Sequence, residues 1–142
     1  MKPHVHFLLA LTLVENLGTK GLMNLLKIHG SPLRAFESFP RSIRAELSQK
    51  AEEINRQVTA LGARVVSYHC REYPSNLRNI CDAPVVIYVK GEIPLEIDKA
   101  IAVVGTRKCS EEGKRFAEMA VDQLAKNGFP LVSGMALGID TA

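Results

Sequence analysis

Apolar residues recur at steps of three and four through residues 5 to about 62, and that spacing predicts helices. Leu8 and Leu11, then Leu22, Leu25 and Leu26, fall on one helix face. Gly18-Thr19-Lys20-Gly21 is expected to separate the first two helices, and Gly30-Ser31-Pro32 to close the second and open a third. Pro40-Arg41-Ser42 begins a further segment, with Ser42 or Ser48 as candidate N-caps. A long, polar-rich helix then runs to Leu61 and stops at Gly62.

Beyond Gly62 the period shortens. Arg64–Tyr68 and Val85–Val89 are β-branched runs bounded by turn residues, so both read as strands around a turn at Tyr73–Arg78. Ile101-Ala102-Val103-Val104 is apolar at every position, the pattern of a central parallel strand covered on both faces. Residues 110 to 127 predict an amphipathic helix, capped near Ser110, with Phe116, Met119, Ala120 and Leu124 inward. Leu131-Val132 follows as a fourth strand. Strand, helix, strand is a βαβ unit, expected to be right-handed. The fold class is thus α/β: a helical domain over 1–62 and an incomplete parallel sheet with flanking helices over 63–142. A helix is expected to begin where the sequence stops at Ala142, so the α/β region reads as part of a larger one.

Composition narrows the possibilities only a little. A hydrophobic fraction of 46% in 142 residues supports a packed core. A net charge of +3 and a pI near 8.8 permit an anionic partner without requiring one. Cys70, Cys81 and Cys109 are odd in number and lack paired spacing, which argues against a disulfide framework and for a reducing cytoplasm. The apolar run Phe7–Val14 is too short to span a bilayer and is followed by Glu15-Asn16, so a buried first helix is expected rather than a leader or anchor.

Two strand-to-helix loops carry the candidate chemistry. In Gly105-Thr106-Arg107, the glycine lets the backbone approach a ligand closely. The helix that follows offers free N–H groups, and Arg107 offers a planar fork for two phosphate oxygens. A plain turn with a solvated arginine is the alternative. In Ser133-Gly134-Met135-Ala136-Leu137-Gly138-Ile139-Asp140, small residues again open the backbone and Ser133 supplies a hydroxyl. Asp140 repels phosphate, so its expected role is to cap the next helix and hold the loop through neighbouring N–H groups. Neighbouring parallel strands bring such loops to one crevice. Neither loop is a dinucleotide fingerprint or a Walker loop, which disfavours nucleotide cofactors.

Tyr73-Pro74, Leu77, Ile80, Ala83-Pro84 and Tyr88-Val89-Lys90-Gly91, together with the two loops and in this order, resemble the DNA-processing protein A (DprA/Smf) family. The resemblance spans most of residues 62–142, and Ser-Gly-x-Ala-x-Gly-Ile-Asp is its most specific part. It implies an N-terminal SAM-like helical domain and an extended Rossmann domain that binds single-stranded DNA. Members protect incoming strands during natural transformation and load the recombinase RecA. By the resemblance, Gly105, Thr106, Arg107, Ser133, Gly134, Ala136 and Gly138 line the phosphate-binding site, with no catalysis and no cofactor. The family pattern continues with a histidine after Thr141-Ala142 and with a later Rossmann half bearing dimer and RecA surfaces. A Rossmann-type nucleotide-processing enzyme, phosphoribohydrolase-like, is the other reading, although its Pro-Gly-Gly-x-Gly-Thr stretch is not found.

Leu17–Leu22 resembles a helix-hairpin-helix turn, but its glycines are three apart rather than two; a tight interhelical turn is the alternative, with Lys20 and Lys27 as a diffuse basic surface. His4-x-His6 and His69-Cys70 with Cys81 are poor metal sets, and no nucleophilic triad has a workable order. Tyr73 and Tyr88 are expected to pack more readily than to stack on bases.

Overall fold

A computed structural model describes residues 2–93 and 97–142. Contacts gather the chain into two units, 1–93 and 94–142.

The first unit is built around its first helix, α1 (Pro3–Thr12). Pro3 stands at its start, where a missing N–H costs nothing. This helix is apolar on nearly every side. Leu8, Leu9, Ala10 and Leu11 are fully buried, so α1 is a core element rather than a surface one. Around it pack α2 (Gly18–His29), α3 (Pro32–Glu37) and α4 (Arg41–Ala60). Ser31 caps α3 by accepting from the Arg34 N–H at 3.2 Å. Leu22, Phe36, Leu47 and Ala51 close the core.

Two local expectations are corrected here. Gly18–Gly21 is not the connector between helices but the first turn of α2. The chain reverses earlier, over residues 13–17, where Asn16 takes a φ of 60°, a conformation asparagine tolerates better than most. Neither Ser42 nor Ser48 caps α4. Pro40 occupies the cap position without a side-chain bond, and the Ser48 hydroxyl lies inside the helix, 2.8 Å from His6 Nε2.

The strands β1 (Ala63–Ser67) and β2 (Val86–Lys90) pair with each other, antiparallel, from Ala63↔Lys90 to Ser67↔Val86. They are therefore not the first strands of one parallel sheet, as the sequence suggested. The connection between them contains only the single-turn α5 (Ser75–Arg78), too little helix to carry the chain across a sheet face. Val65, Val85 and Val86 join the core around α1, so this pair packs with the helices and belongs to the same contact unit, which runs to Ile93.

Tyr73 ties the connection down. Its ring is 3% exposed and its hydroxyl donates to the Pro84 carbonyl at 2.8 Å. Burial, with the neighbouring Tyr68, raises the phenol above its ordinary value, against a smaller opposing effect of Arg78. Folding thus favours the protonated phenol. Its contribution is complete below the ordinary tyrosine value and is lost as the pH rises through the elevated folded one. Tyr73→Phe is expected to cost about 1–2 kcal/mol at neutral pH, because the Pro84 carbonyl loses its donor. Denaturant unfolding of both proteins at stepwise alkaline pH checks this: the gap between them should narrow above pH of about 10.

The second unit contains β3 (Ile101–Ala102), α6 (Glu111–Lys126) and β4 (Leu131–Val132), after a 3-10 turn at Ile97–Lys99. The two strands are parallel, Ile101 opposite Leu131 and Ala102 opposite Val132. Ser110 caps α6, accepting from the Gly113 N–H at 3.1 Å. Of the four residues expected inward, Ala120 and Leu124 turn inward and Phe116 and Met119 do not. Ala117 is buried and Gly113, Ala120 and Leu124 are half-buried, whereas Phe116 and Met119 are 71% and 67% exposed. The buried stripe follows 113, 117, 120 and 124, and its small members Gly113, Ala117 and Ala120 let the helix sit close to two very short strands. A 3-10 turn, Ile139–Thr141, follows β4.

Candidate nucleic-acid interface

The β3 and β4 loops meet because their strands are parallel neighbours, and a small set of bonds locks them together. The Gly105 N–H donates to Asp140 Oδ1 at 3.0 Å, and the Ile139 N–H donates to the Thr106 carbonyl at 3.2 Å. The Ser133 hydroxyl donates to the Asp140 carbonyl at 2.8 Å and accepts from the Met135 N–H at 3.4 Å. Asp140 thus joins the loops by its side chain and braces one of them by its backbone. It lies within the 3-10 turn that Gly138 precedes.

The glycines are where the two loops touch. A Cβ on Gly105 would lie 2.5 Å from Ile139 Cβ, and one on Gly138 would lie 2.2 Å from the Thr106 carbonyl oxygen. Gly138 also has a φ of 103°, which side-chain-bearing residues rarely adopt. Gly134 is looser, with Asp140 Oδ2 at 3.1 Å from the same ideal position. These glycines therefore serve close packing of loop on loop, a role distinct from the ligand approach expected of them.

Several expected phosphate donors are already committed. Gly105 gives its N–H to Asp140, and Ser133 gives its hydroxyl proton to the Asp140 carbonyl. The Thr106 hydroxyl faces back along its own loop, 3.2 Å from both the Lys108 N–H and the Lys108 carbonyl. What remains uncommitted is more specific. Arg107 and Lys108 are exposed and form no ion pair among the described residues. The backbone N–H groups of Thr106, Arg107, Gly134 and Ala136 have no hydrogen-bond partner among the described residues either. Lys108 is the residue that sequence reasoning missed; its only signal was a second cation beside Arg107. Glu111 and Glu112, in the first turn of α6, place negative charge at the helix N-terminus. They weaken the helix end as an anion site and leave that task to the loop amides and the two cations.

The loop surface is open. Gly105, Thr106, Arg107 and Gly134 are exposed, and Ala136 is half-buried between Met135 and Leu137, which are 75% and 79% exposed. An open, amide-lined surface with two cations suits a phosphate that belongs to a long chain better than a small cofactor that needs enclosing.

Elsewhere, Tyr88 is 54% exposed on β2, and the three cysteines are free. His6 bonds Ser48, and His4 Nε2 comes to 4.0 Å from Cys70 Sγ. No group of three metal-ligating side chains forms among the described residues, and no helix there is long and apolar enough to cross a membrane.

The sequence profile of DNA recombination-mediator protein A matches residues 64–142, more than half of the chain. The chain is 44% identical over 70 residues to the DNA processing protein DprA of Streptococcus pneumoniae, covering 49% of this chain and 24% of that protein. It is 30% identical over 119 residues to protein Smf of Borreliella burgdorferi, covering 82% and 38%. DNA processing protein DprA of Bacillus subtilis is 29% identical over 103 residues, covering 70% and 35%. The aligned region thus spans between 24% and 38% of the length of these relatives.

Proposed function

Since this chain belongs to the DNA recombination-mediator protein A family, we propose that it contributes a single-stranded-DNA contact to a non-catalytic recombination mediator. In this reading residues 1–62 form a SAM-like helical domain and 63–142 the first part of a Rossmann-like DNA-binding domain. The whole protein protects incoming strands in natural transformation, passes them to RecA and works in the cytoplasm, as a homodimer. No cofactor takes part.

One observation carries the DNA contact. The bonds and close approaches between Gly105–Thr106 and Gly138–Asp140 hold two loops as one rigid surface, leaving Arg107 and the amides of Thr106, Gly134 and Ala136 free. Gly105, Gly138, Ser133 and Asp140 shape that surface, whereas Arg107 and the free amides grip phosphate. Phosphate contacts carry little base information, so binding is expected to be indifferent to sequence and steeply salt-dependent.

Fluorescence anisotropy with an oligo-dT strand tests this. Arg107→Ala is expected to weaken binding roughly tenfold and to lower the slope of log affinity against log salt by about 1. Equal affinity and equal slope for the variant and the parent would remove Arg107 from the interface.

A further inference from the structure

A second set of basic groups lies within the first unit, around a cavity of about 380 Å³ between α2 and the segment that joins β1 to β2. Lys20 and Lys27 line it from α2, and Arg78 lines it from the end of α5. Thr19 and Asn24 add polar groups, Tyr68 adds an aromatic ring, and no carboxylate is among the lining side chains. The nearest acid in sequence, Asp82, takes the Cys81 thiol as its donor at 3.8 Å.

The arginine is held in place. Its guanidinium lies 5.4 Å from the Tyr68 ring centroid and 5.6 Å from that of Tyr73, and one terminal nitrogen donates to the Cys70 carbonyl at 2.9 Å. Its Nε is buried and has no hydrogen-bond partner. That nitrogen is shut off from the cavity, whereas the fixed guanidinium as a whole presents its positive charge there. Lys20 sits in the first turn of α2, twelve residues long, whose cap residue Leu17 offers no side-chain bond to the free N–H groups. Three cations, an uncapped helix start and an aromatic wall converge without a counter-charge.

We propose that this cavity binds the phosphate of a nucleotide unit, free or within a DNA strand. The charge calls for an anion, and the volume and the Tyr68 wall call for a phosphate carried on an organic group rather than a bare ion. This site is independent of the β3 and β4 loops and involves none of their residues.

NMR titration of the whole chain with inorganic phosphate, with dTMP and with a 5′-phosphorylated ten-nucleotide oligo-dT tests it and separates the sources. The expected result is saturable shifts at the Thr19, Lys20 and Arg78 amides with dTMP or the oligonucleotide, at lower concentration than with phosphate. Tighter binding of the oligonucleotide assigns the site to the strand; equal binding of dTMP assigns it to the free nucleotide. The double substitution Lys20→Gln with Lys27→Gln, both on exposed positions, is expected to weaken these shifts roughly tenfold. Lys50→Gln, which removes a positive charge from α4 outside the cavity, should not. Shifts confined to 105–108 and 133–138 would overturn this site and leave the loop interface standing. Shifts at Thr19 and Lys20 alone would do the reverse. Equal affinity of the lysine pair variant and Lys50→Gln would also overturn it.

Discussion

Gly138→Ala is expected to unlock the two loops and to destabilise the second unit by about 3 kcal/mol or more. The added Cβ would meet the Thr106 carbonyl oxygen at 2.2 Å and Arg107 Cα at 2.7 Å, and both are backbone atoms that no rotamer change can move aside. The φ of 103° adds strain of its own. Relief requires the loops to part, which breaks the Ile139-to-Thr106 bond and shifts Arg107 relative to Gly138. Gly128→Ala provides the contrast. Its φ is also positive, at 79°, yet nothing lies within 4 Å of the new carbon. That substitution should cost only about 1 kcal/mol. Amide hydrogen exchange at Ile139 distinguishes the two: protection should vanish in Gly138→Ala and persist in Gly128→Ala. Persistent protection in both would mean that the loops are not packed as described.

Leu8→Ala should remove about 3 kcal/mol from the first unit. Leu8 is fully buried in α1, the helix against which α2, α3, α4 and both strands of the antiparallel pair all pack. A void there faces several elements at once, and none can collapse into it without leaving another contact. Small units have little stability in reserve, typically about 5–15 kcal/mol, so the loss should shift the urea midpoint strongly. Leu61→Ala, where the side chain is 68% exposed, should change stability by less than about 0.5 kcal/mol. Helical circular dichroism in urea reads both. Equal losses at the two leucines would contradict the placement of the core.

Much of the secondary structure was legible because it depends on neighbours in sequence. The three- and four-residue spacing of leucines, Ser31 and Ser110 report helix faces and helix starts directly. Val65, Val66, Val86 and Ile87 report strands for the same reason. The failures were of another kind. Whether β1 and β2 run parallel depends on how far the connection must travel, and the single turn at Ser75–Arg78 was not distinguishable from a longer crossover by composition. Phe116 and Met119 carry an apolar signal as strong as that of a core pair. Burial, however, followed the small residues Gly113, Ala117 and Ala120, because close approach to two short strands rewards small side chains.

The same division runs through the candidate interface. Its membership was written locally, in Gly-Thr-Arg and in Ser-Gly-x-Ala-x-Gly-Ile-Asp, since short segments that turn tightly must use particular residues. The division of labour inside it was not. Gly105, Ser133 and Gly138 looked like ligand-facing positions, and folding set them against Asp140, Ile139 and Thr106. Gathering Lys20, Lys27 and Arg78 around one cavity likewise needed the chain to fold back on itself over some fifty residues. Helices, strands and the family follow from local pattern and were already written in the residues. Which donors are committed and which remain free depends on folding, because a hydrogen bond between residues 105 and 140 has no counterpart in local pattern.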